Sequence, residues 1–187
     1  ALRGVSFELP ADGTLAVVGR TGAGKSTLVR MIPRLLDPDA GTVTIDGHDL
    51  RTLPLETVRR HMGYVPQDVF LFSDTVANNI AFGDLDAHRD EIRRAAAEAD
   101  LLDNVRDFPE GFDTYVGERG ITLSGGQKQR TSIARALIRN PRILIFDDSL
   151  SAVDTATERN ILRSLRERQG RHTLVIVSHR LSAVQEA

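Results

Sequence analysis

Residues Gly19-Arg20-Thr21-Gly22-Ala23-Gly24-Lys25-Ser26 spell a phosphate-binding loop of the form G-x-x-x-x-G-K-[ST]. Each residue type there answers a need of an anionic phosphate chain. Gly19, Gly22 and Gly24 let the backbone curl with no Cβ in the way, so that N–H groups and the positive end of a following helix converge on one point. Lys25 supplies a flexible ammonium for β- and γ-phosphates, Ser26 a hydroxyl that can ligate Mg²⁺, and Thr27 a further phosphate contact. Further along, Ile143-Leu144-Ile145-Phe146 runs into Asp147-Asp148. Acids at the carboxyl end of a buried parallel strand face the ligand crevice of an open α/β sheet. Asp147 is there expected to partner Mg²⁺, usually through water. Adjacent carboxylates repel unless they share a cation or a proton. A second glycine-rich helix start, Leu123-Ser124-Gly125-Gly126-Gln127, leads into Lys128, Gln129 and Arg130 and makes a second anion site. One γ-phosphate does not need two such sites from one subunit, so this one is expected to serve a nucleotide held by a second subunit.

The elements that must place these residues follow from hydrophobic spacing. Leu15-Ala16-Val17-Val18 reads as a buried strand before the loop, and Thr27, Leu28, Val29, Met31 and Ile32 as a helix after it, running to about Leu36 before Asp37-Pro38 breaks it. Val5, Phe7 and Leu9 alternate with polar residues as in a half-buried strand. Thr42 to Ile45 reads as a strand followed by an Asp46-Gly47 turn, Leu53 to Met62 as a short helix, and Gly63 to Pro66 as a short strand. Residues 86–100 have helical spacing, and 101–108 form another helix. Ser124 to Asn140 is a strong helix with Ser124 as N-cap and Pro141 beyond its end. The run at 143–146 suits a central parallel strand, 155–168 a helix, 174–177 a second buried strand, and Leu181 onward the start of a helix. Strands alternating with helices around a phosphate loop predict a P-loop α/β fold with a mostly parallel sheet and a small antiparallel portion. Residues 1–72 and 141–187 form its core, and 73–140 an inserted α-helical lobe.

Composition bounds the rest. A chain of 187 residues fits one domain. A net charge of −2 gives no reason to expect nucleic acid or an anionic membrane surface as a nonspecific partner. Lys25 and Lys128 are the only lysines in an arginine-rich chain, which singles out Lys25 as an ammonium wanted for itself. With no cysteine, disulfides and thiolate metal sites are excluded. No apolar stretch reaches bilayer-spanning length, and the N-terminus carries no targeting signal.

The phosphate loop, Val65-Pro66-Gln67, Leu123-Ser124-Gly125-Gly126-Gln127, Phe146-Asp147-Asp148 and Ser178-His179 stand in the order found in ATP-binding cassette (ABC) ATPases, and the chain resembles that family over essentially its whole length. The resemblance implies ATP and Mg²⁺ as cofactors. It also implies two nucleotide-binding domains facing head to tail, with ATP between the phosphate loop of one and the LSGGQ of the other. Lys25, Ser26 and Thr27 would hold phosphates and Mg²⁺, and Gln67 would reach the Mg²⁺ and the attacking water. Asp148 would act on that water, and His179 would touch the γ-phosphate. Ser124 and Gly126, within Ser124 to Gln127, would cap the γ-phosphate of the partner's ATP. Asp154 resembles the loop that communicates across the dimer. Residues 114–120, Thr-Tyr-Val-Gly-Glu-Arg-Gly, look like the stretch of exporter-type cassettes that meets the coupling helices of a membrane domain, and residues 68–83 resemble the stretch that follows Gln67 in the same exporters. The implied role is an ATPase domain powering an exporter at the cytoplasmic face of the cell membrane.

Two departures qualify this. Asp148 stands where most active cassettes carry glutamate, the general base. Its carboxylate sits back by ~1 Å, a displacement that can cost on the order of 10²-fold in rate. A slow or degenerate site in a heterodimeric exporter is the alternative expectation. The family's adenine-stacking aromatic lies upstream of the Leu2 to Phe7 stretch, and the last strands and helix after His179 look missing, as in a fragment of a longer polypeptide. Stacking on a base is worth ~1–3 kcal/mol in nucleic-acid sites, so these residues alone are expected to bind ATP weakly, and submicromolar binding by them would contradict this.

Overall fold

The computed structural model describes residues 2–117, 121–167 and 172–179. In chain order these form β1 (Thr14–Val18), α1 (Lys25–Met31), β2 (Thr44–Ile45), β3 (His48–Asp49), α2 (Leu55–Arg60), β4 (Met62–Val65), β5 (Asp74–Thr75), α3 (Val76–Ala81), α4 (Arg89–Glu98), α5 (Leu102–Asp107), β6 (Tyr115–Val116), α6 (Gly125–Leu137), β7 (Ile143–Asp147), α7 (Thr155–Glu167) and β8 (Thr173–Ser178). The main sheet has the order β1-β8-β7-β4 with parallel pairings throughout. Two short antiparallel pairs, β2–β3 and β5–β6, stand apart from it. A parallel sheet with small antiparallel pieces and helices is the α/β class expected.

Register decides which side chains meet. Val18 pairs with Ser178, and Asp147 with Val177, so the carboxyl ends of β1, β7 and β8 lie side by side. The segments that leave those ends begin at Gly19, Asp148 and His179. Side chains alternate along each strand. Ile145, Val175 and Val177 pack on one face with Val29 of α1. Leu144, Phe146 and Ile176 face the other way, into a larger core shared with Ile80, Ile133, Leu137 and Ile161. That larger core carries the helices of 73–140. Ile92, Ala95, Ala96 and Ala99, the residues with helical spacing, are all buried in it.

Several boundaries differ from expectation. The alternating segment 5–9 is not a strand: Val5 and Phe7 are 50% and 53% exposed, and β2 and β3 pair only with each other. Alternation marks two-facedness, but a strand also needs a neighbour to take its hydrogen bonds. The helix after the loop ends at Met31, not near Leu36. Pro33 has no N–H to continue the ladder. Arg34 then turns left-handed at φ 51°, which lets the Leu35 and Leu36 amides return to the Arg30 carbonyl at 2.9 and 3.3 Å. Arg59 satisfies the carbonyls left over, donating to Pro33 at 3.1 Å and Arg34 at 2.8 Å. The strand expected from Thr42 shrinks to Thr44–Ile45, closed by Asp46 and Gly47 at φ 50° and 78° in a tight hairpin turn. Residues 118–120 and the helix expected from Leu181 lie outside the described residues. Among the described residues no helix is long and apolar enough to cross a membrane.

Candidate nucleotide site

The loop between β1 and α1 curls as its glycines require. Gly22 and Gly24 have φ of 81° and 90°, and a Cβ on Gly24 would also come within 3.0 Å of Leu2. Lys25 is buried at the start of α1, and its ammonium donates to the carbonyl oxygens of Gly19 at 2.8 Å and Arg20 at 3.0 Å. It also lies 3.4 Å from His179 Nδ1. The other ring nitrogen, Nε2, is 3.4 Å from Asp148 Oδ2. Lys25, His179 and Asp148 therefore form one chain of polar contacts across the ends of three segments.

Asp147 is fully buried and faces α1 because it alternates in phase with Ile145. Ser26 Oγ donates to its Oδ1 at 2.7 Å, and the Tyr64 hydroxyl donates to its Oδ2 at 2.8 Å. Arg30 Nε stands 3.5 Å from the same Oδ2 and 3.4 Å from the Tyr64 oxygen. Burial pushes the Tyr64 phenol up to about 12, against the opposing hydrogen bond from Arg30, so it stays a proton donor to the carboxylate. Asp148 sits next in sequence but is turned by a left-handed backbone, φ 52°, which Asp tolerates better than most residues. Its amide donates to Val177 at 3.1 Å and its carbonyl accepts from Ser151 Oγ at 2.7 Å. Strand alternation would send Asp148 to the opposite face; the left-handed turn brings it to His179 instead.

Asp147 and Ser26 set hard oxygen atoms side by side. Among the described residues no group of three or more His, Cys, Asp or Glu could hold a metal ion by itself. Such a donor set fits Mg²⁺ delivered on phosphate oxygens, which keeps waters and takes one or two protein ligands, rather than a cation held in an all-protein cage.

The remaining candidates stand elsewhere. Gln67 follows β4 and is exposed. Ser124 caps α6 in a reciprocal box: its Oγ accepts from Gln127 N at 3.3 Å, and its N donates to Gln127 Oε1 at 2.9 Å. The Ser124 hydroxyl proton is left over by that arrangement, and both Ser124 and Gly125 are exposed. A Cβ on Gly126 would lie 3.5 Å from the Ala152 carbonyl, so the helix start rests against the 151–154 segment. Asp154 caps α7, accepting from the Ala156 and Thr157 amides at 3.0 Å and the Thr157 hydroxyl at 2.8 Å. Those hydrogen bonds, the Thr157 amide first, hold its carboxyl below the usual carboxylate range. Among the described residues no hydrogen bond joins Ser124 to Gln127 with the phosphate loop.

Comparison with known proteins places this geometry. The family described as ABC transporter matches residues 2–151. The chain belongs to that family. An ATP-dependent lipid A-core flippase of Methylococcus capsulatus is 50% identical over 188 residues, which is 100% of this chain and 31% of the flippase. ATP-binding cassette sub-family B member 6 of Xenopus tropicalis is 46% identical over 183 residues, 98% of this chain and 22% of that protein. A bacterial Atm1-family ABC exporter solved with ATP bound superposes with a TM-score of 0.93 at 46% identity, covering 98% of this chain and 32% of the exporter. This ABC chain thus spans about a third or less of the length of each of these proteins.

Sequence reasoning missed Tyr64 and Arg30. Arg30 follows Ser26 by four residues, one turn along the same helical face, so its place beside Asp147 was within reach. Tyr64 had no local signal: it arrives through its register opposite Ile145.

Proposed function

We propose that this ABC chain is the ATP-binding and ATP-hydrolysing domain of an exporter, and that ATP-driven pairing of two such domains moves an attached membrane domain from its cytoplasmic side. One observation carries the reading. Lys25, Ser26, Asp147, Asp148 and His179 gather at one sheet edge, while the capped helix start at Ser124 is exposed and hydrogen-bonded to none of them. A binding surface split in this way is complete only when a second domain brings its Ser124 helix to the first domain's phosphate loop.

In this reading the loop from Gly19 to Ser26, including Arg20, Thr21 and Ala23, wraps the phosphates, with Thr27 adding a contact. Lys25 releases the Gly19 and Arg20 carbonyls and turns its ammonium to the β- and γ-phosphates. Ser26 and Asp147, with Gln67, hold Mg²⁺, which supplies charge neutralisation on the phosphate oxygens when bound. Asp148 orients and polarises the attacking water, and His179 bridges it to the phosphate end of the site. The leftover Ser124 proton and the Gly125 and Gly126 amides face the other domain's γ-phosphate, Gln127 holds that helix start in shape through its box with Ser124, and Asp154 stiffens the segment between the two sites. All of 1–187 is one domain, with the core in 1–72 and 141–187 and the helical subdomain in 73–140.

The membrane-domain contact is assigned to an apolar patch where the core segment ending at 72 meets the helical part. Phe70, Phe72, Phe82 and Leu85 are exposed by 67%, 36%, 53% and 79%. The Arg135 guanidinium lies 5.5 and 5.7 Å from the centres of Phe72 and Phe82. Clustered exposed aromatics of this kind mark interaction surfaces.

The domain has no cysteine, which makes a direct test simple. In the assembled full-length protein, Arg20→Cys together with Ser124→Cys is expected to form a disulfide between protomers when a non-hydrolysable ATP analogue is added, and not without it. Bound analogue with no cross-link would refute the sandwich. A second reading is favoured by Asp148: ATP held at this phosphate loop turns over slowly and mainly glues a heterodimer, whose faster site borrows Ser124 of this chain.

A further inference from the structure

The buried acid of the site is held by two residues outside its motif. Asp147 has both carboxylate oxygens engaged: Oδ1 by Ser26 at 2.7 Å, Oδ2 by Tyr64 at 2.8 Å, with Arg30 Nε 3.5 Å away. Arg30 in turn lies 3.4 Å from the Tyr64 hydroxyl oxygen, which polarises that hydroxyl as a donor. We propose that Arg30 and Tyr64 are positioning residues that pin Asp147 and set the divalent-cation demand of the site, keeping the carboxylate one water away from the cation and weakening its pull. The inference rests on the ATP and Mg²⁺ reading above and adds to it a control on metal affinity.

The argument is one of geometry and charge. Each carboxylate oxygen has two lone-pair sites, and here a hydroxyl donor takes one on each, which pins the orientation of the group and leaves one direction open per oxygen. A cation that does not lie along those remaining directions is met directly only if Asp147 turns an oxygen away from Ser26 or from Tyr64. Turning from Ser26 breaks up the neighbouring cation ligand, and turning from Tyr64 leaves a phenol donor half-buried without its acceptor. Meeting the cation through a water avoids both costs and suits Mg²⁺, which gives up its waters reluctantly. The Arg30 side chain is 45% exposed and adds a positive charge beside a site meant for a dication. Solvent screens that repulsion without removing it, so the effect on affinity is moderate. Register supplies Tyr64, through its pairing with Ile145, and helical phase supplies Arg30, one turn beyond Ser26.

The test uses the full-length polypeptide with saturating ATP. Mn²⁺ is titrated in and counted by electron paramagnetic resonance, and Mg²⁺ affinity is read by competition. Arg30→Gln is expected to tighten Mg²⁺ and Mn²⁺ binding by roughly three- to tenfold, and Arg30→Lys, which keeps the charge, to stay within about twofold of the parent. Tyr64→Phe keeps the ring and frees Oδ2. There the number of exchangeable waters on Mn²⁺, measured by electron spin echo modulation in D₂O, is expected to fall by one as Asp147 becomes a direct ligand. Unchanged or weaker cation binding in Arg30→Gln overturns the proposal, as does an unchanged water count in Tyr64→Phe. A parent protein that binds no Mn²⁺ with ATP present would instead sink the ATP and Mg²⁺ reading itself, an outcome distinct from either.

Discussion

On the exporter reading proposed above, Asp148→Glu is expected to raise ATP turnover at this phosphate loop by about ten- to a hundredfold when the facing subunit's own base is disabled in the full-length assembly. The expectation comes from how firmly the backbone at 148 is held. The Asp148 amide is tied to Val177 and its carbonyl to Ser151. The main chain therefore cannot follow a longer side chain, and an added methylene carries the carboxylate outward by ~1 Å, toward the place where a water attacks. His179 is already 3.4 Å from the present carboxylate, so on the slow-site reading the limit is reach and not the absence of a partner. Steady-state phosphate release measures the effect. If turnover does not rise, Asp148 is not the limiting element and the slow-site reading fails.

The same exchange is expected to lower stability. Asp148 occupies φ 52°, and an L-residue without a short polar side chain gives up roughly 1–2 kcal/mol there. In a domain of this size each kcal/mol corresponds to about 2–4 °C in melting temperature. A faster and slightly less stable variant is therefore the signature. A variant that is slower and less stable would mean that the left-handed turn, and not side-chain length, governs the site.

The chain announces most of its phosphate site and little of what supports it. The loop was legible because a strand, three glycines, a lysine and a helix fall in consecutive sequence, and Gly22 and Gly24 adopt the left-handed angles that only glycine takes easily. Asp147 was legible because an unbroken apolar run ends on it. The turn that redirects Asp148 was not, since a left-handed aspartate leaves no pattern in the neighbouring residues. Tyr64 and Arg30 depend on strand register and helical phase, which are set by contacts distant in sequence. The segment 5–9 misled in the opposite sense: its alternation is real, but hydrogen-bonded pairing is a property of two segments. The end of α1 could have been read from Pro33. The helices of 73–140 were visible through their alanine and isoleucine spacing, while the glycines that let them pack were not.

Gly83→Ala illustrates that last point and is expected to cost roughly 3 kcal/mol of stability, the upper end for overpacking, or on the order of 10 °C in melting temperature. Gly83 follows α3, and a Cβ there would sit against the Arg135 carbonyl oxygen well inside contact distance and 2.8 Å from Ile138 Cγ2. The obstruction is α6 backbone, which no side-chain rotation relieves. Neither partner is free to retreat. The Gly83 amide is tied to Ile80 at 3.1 Å, and Asp84 to Ala81 at 2.8 Å. Arg135 fastens α6 to the carbonyl of Phe70 at 3.0 Å and to the carbonyl and side-chain oxygens of Asn79 at 2.7 and 3.0 Å. Burial lowers the Arg135 guanidinium from its ordinary value, the mark of a charge drawn into that packing. Gly125→Ala at the start of α6 supplies the contrast: a Cβ there meets nothing within 4 Å, so its stability is expected to stay within about 0.5 kcal/mol of the parent. Equilibrium denaturation of both variants decides the matter. A loss under about 1 kcal/mol for Gly83→Ala would mean that α3 and α6 have slack, and that the close approach is not what holds these two helices together.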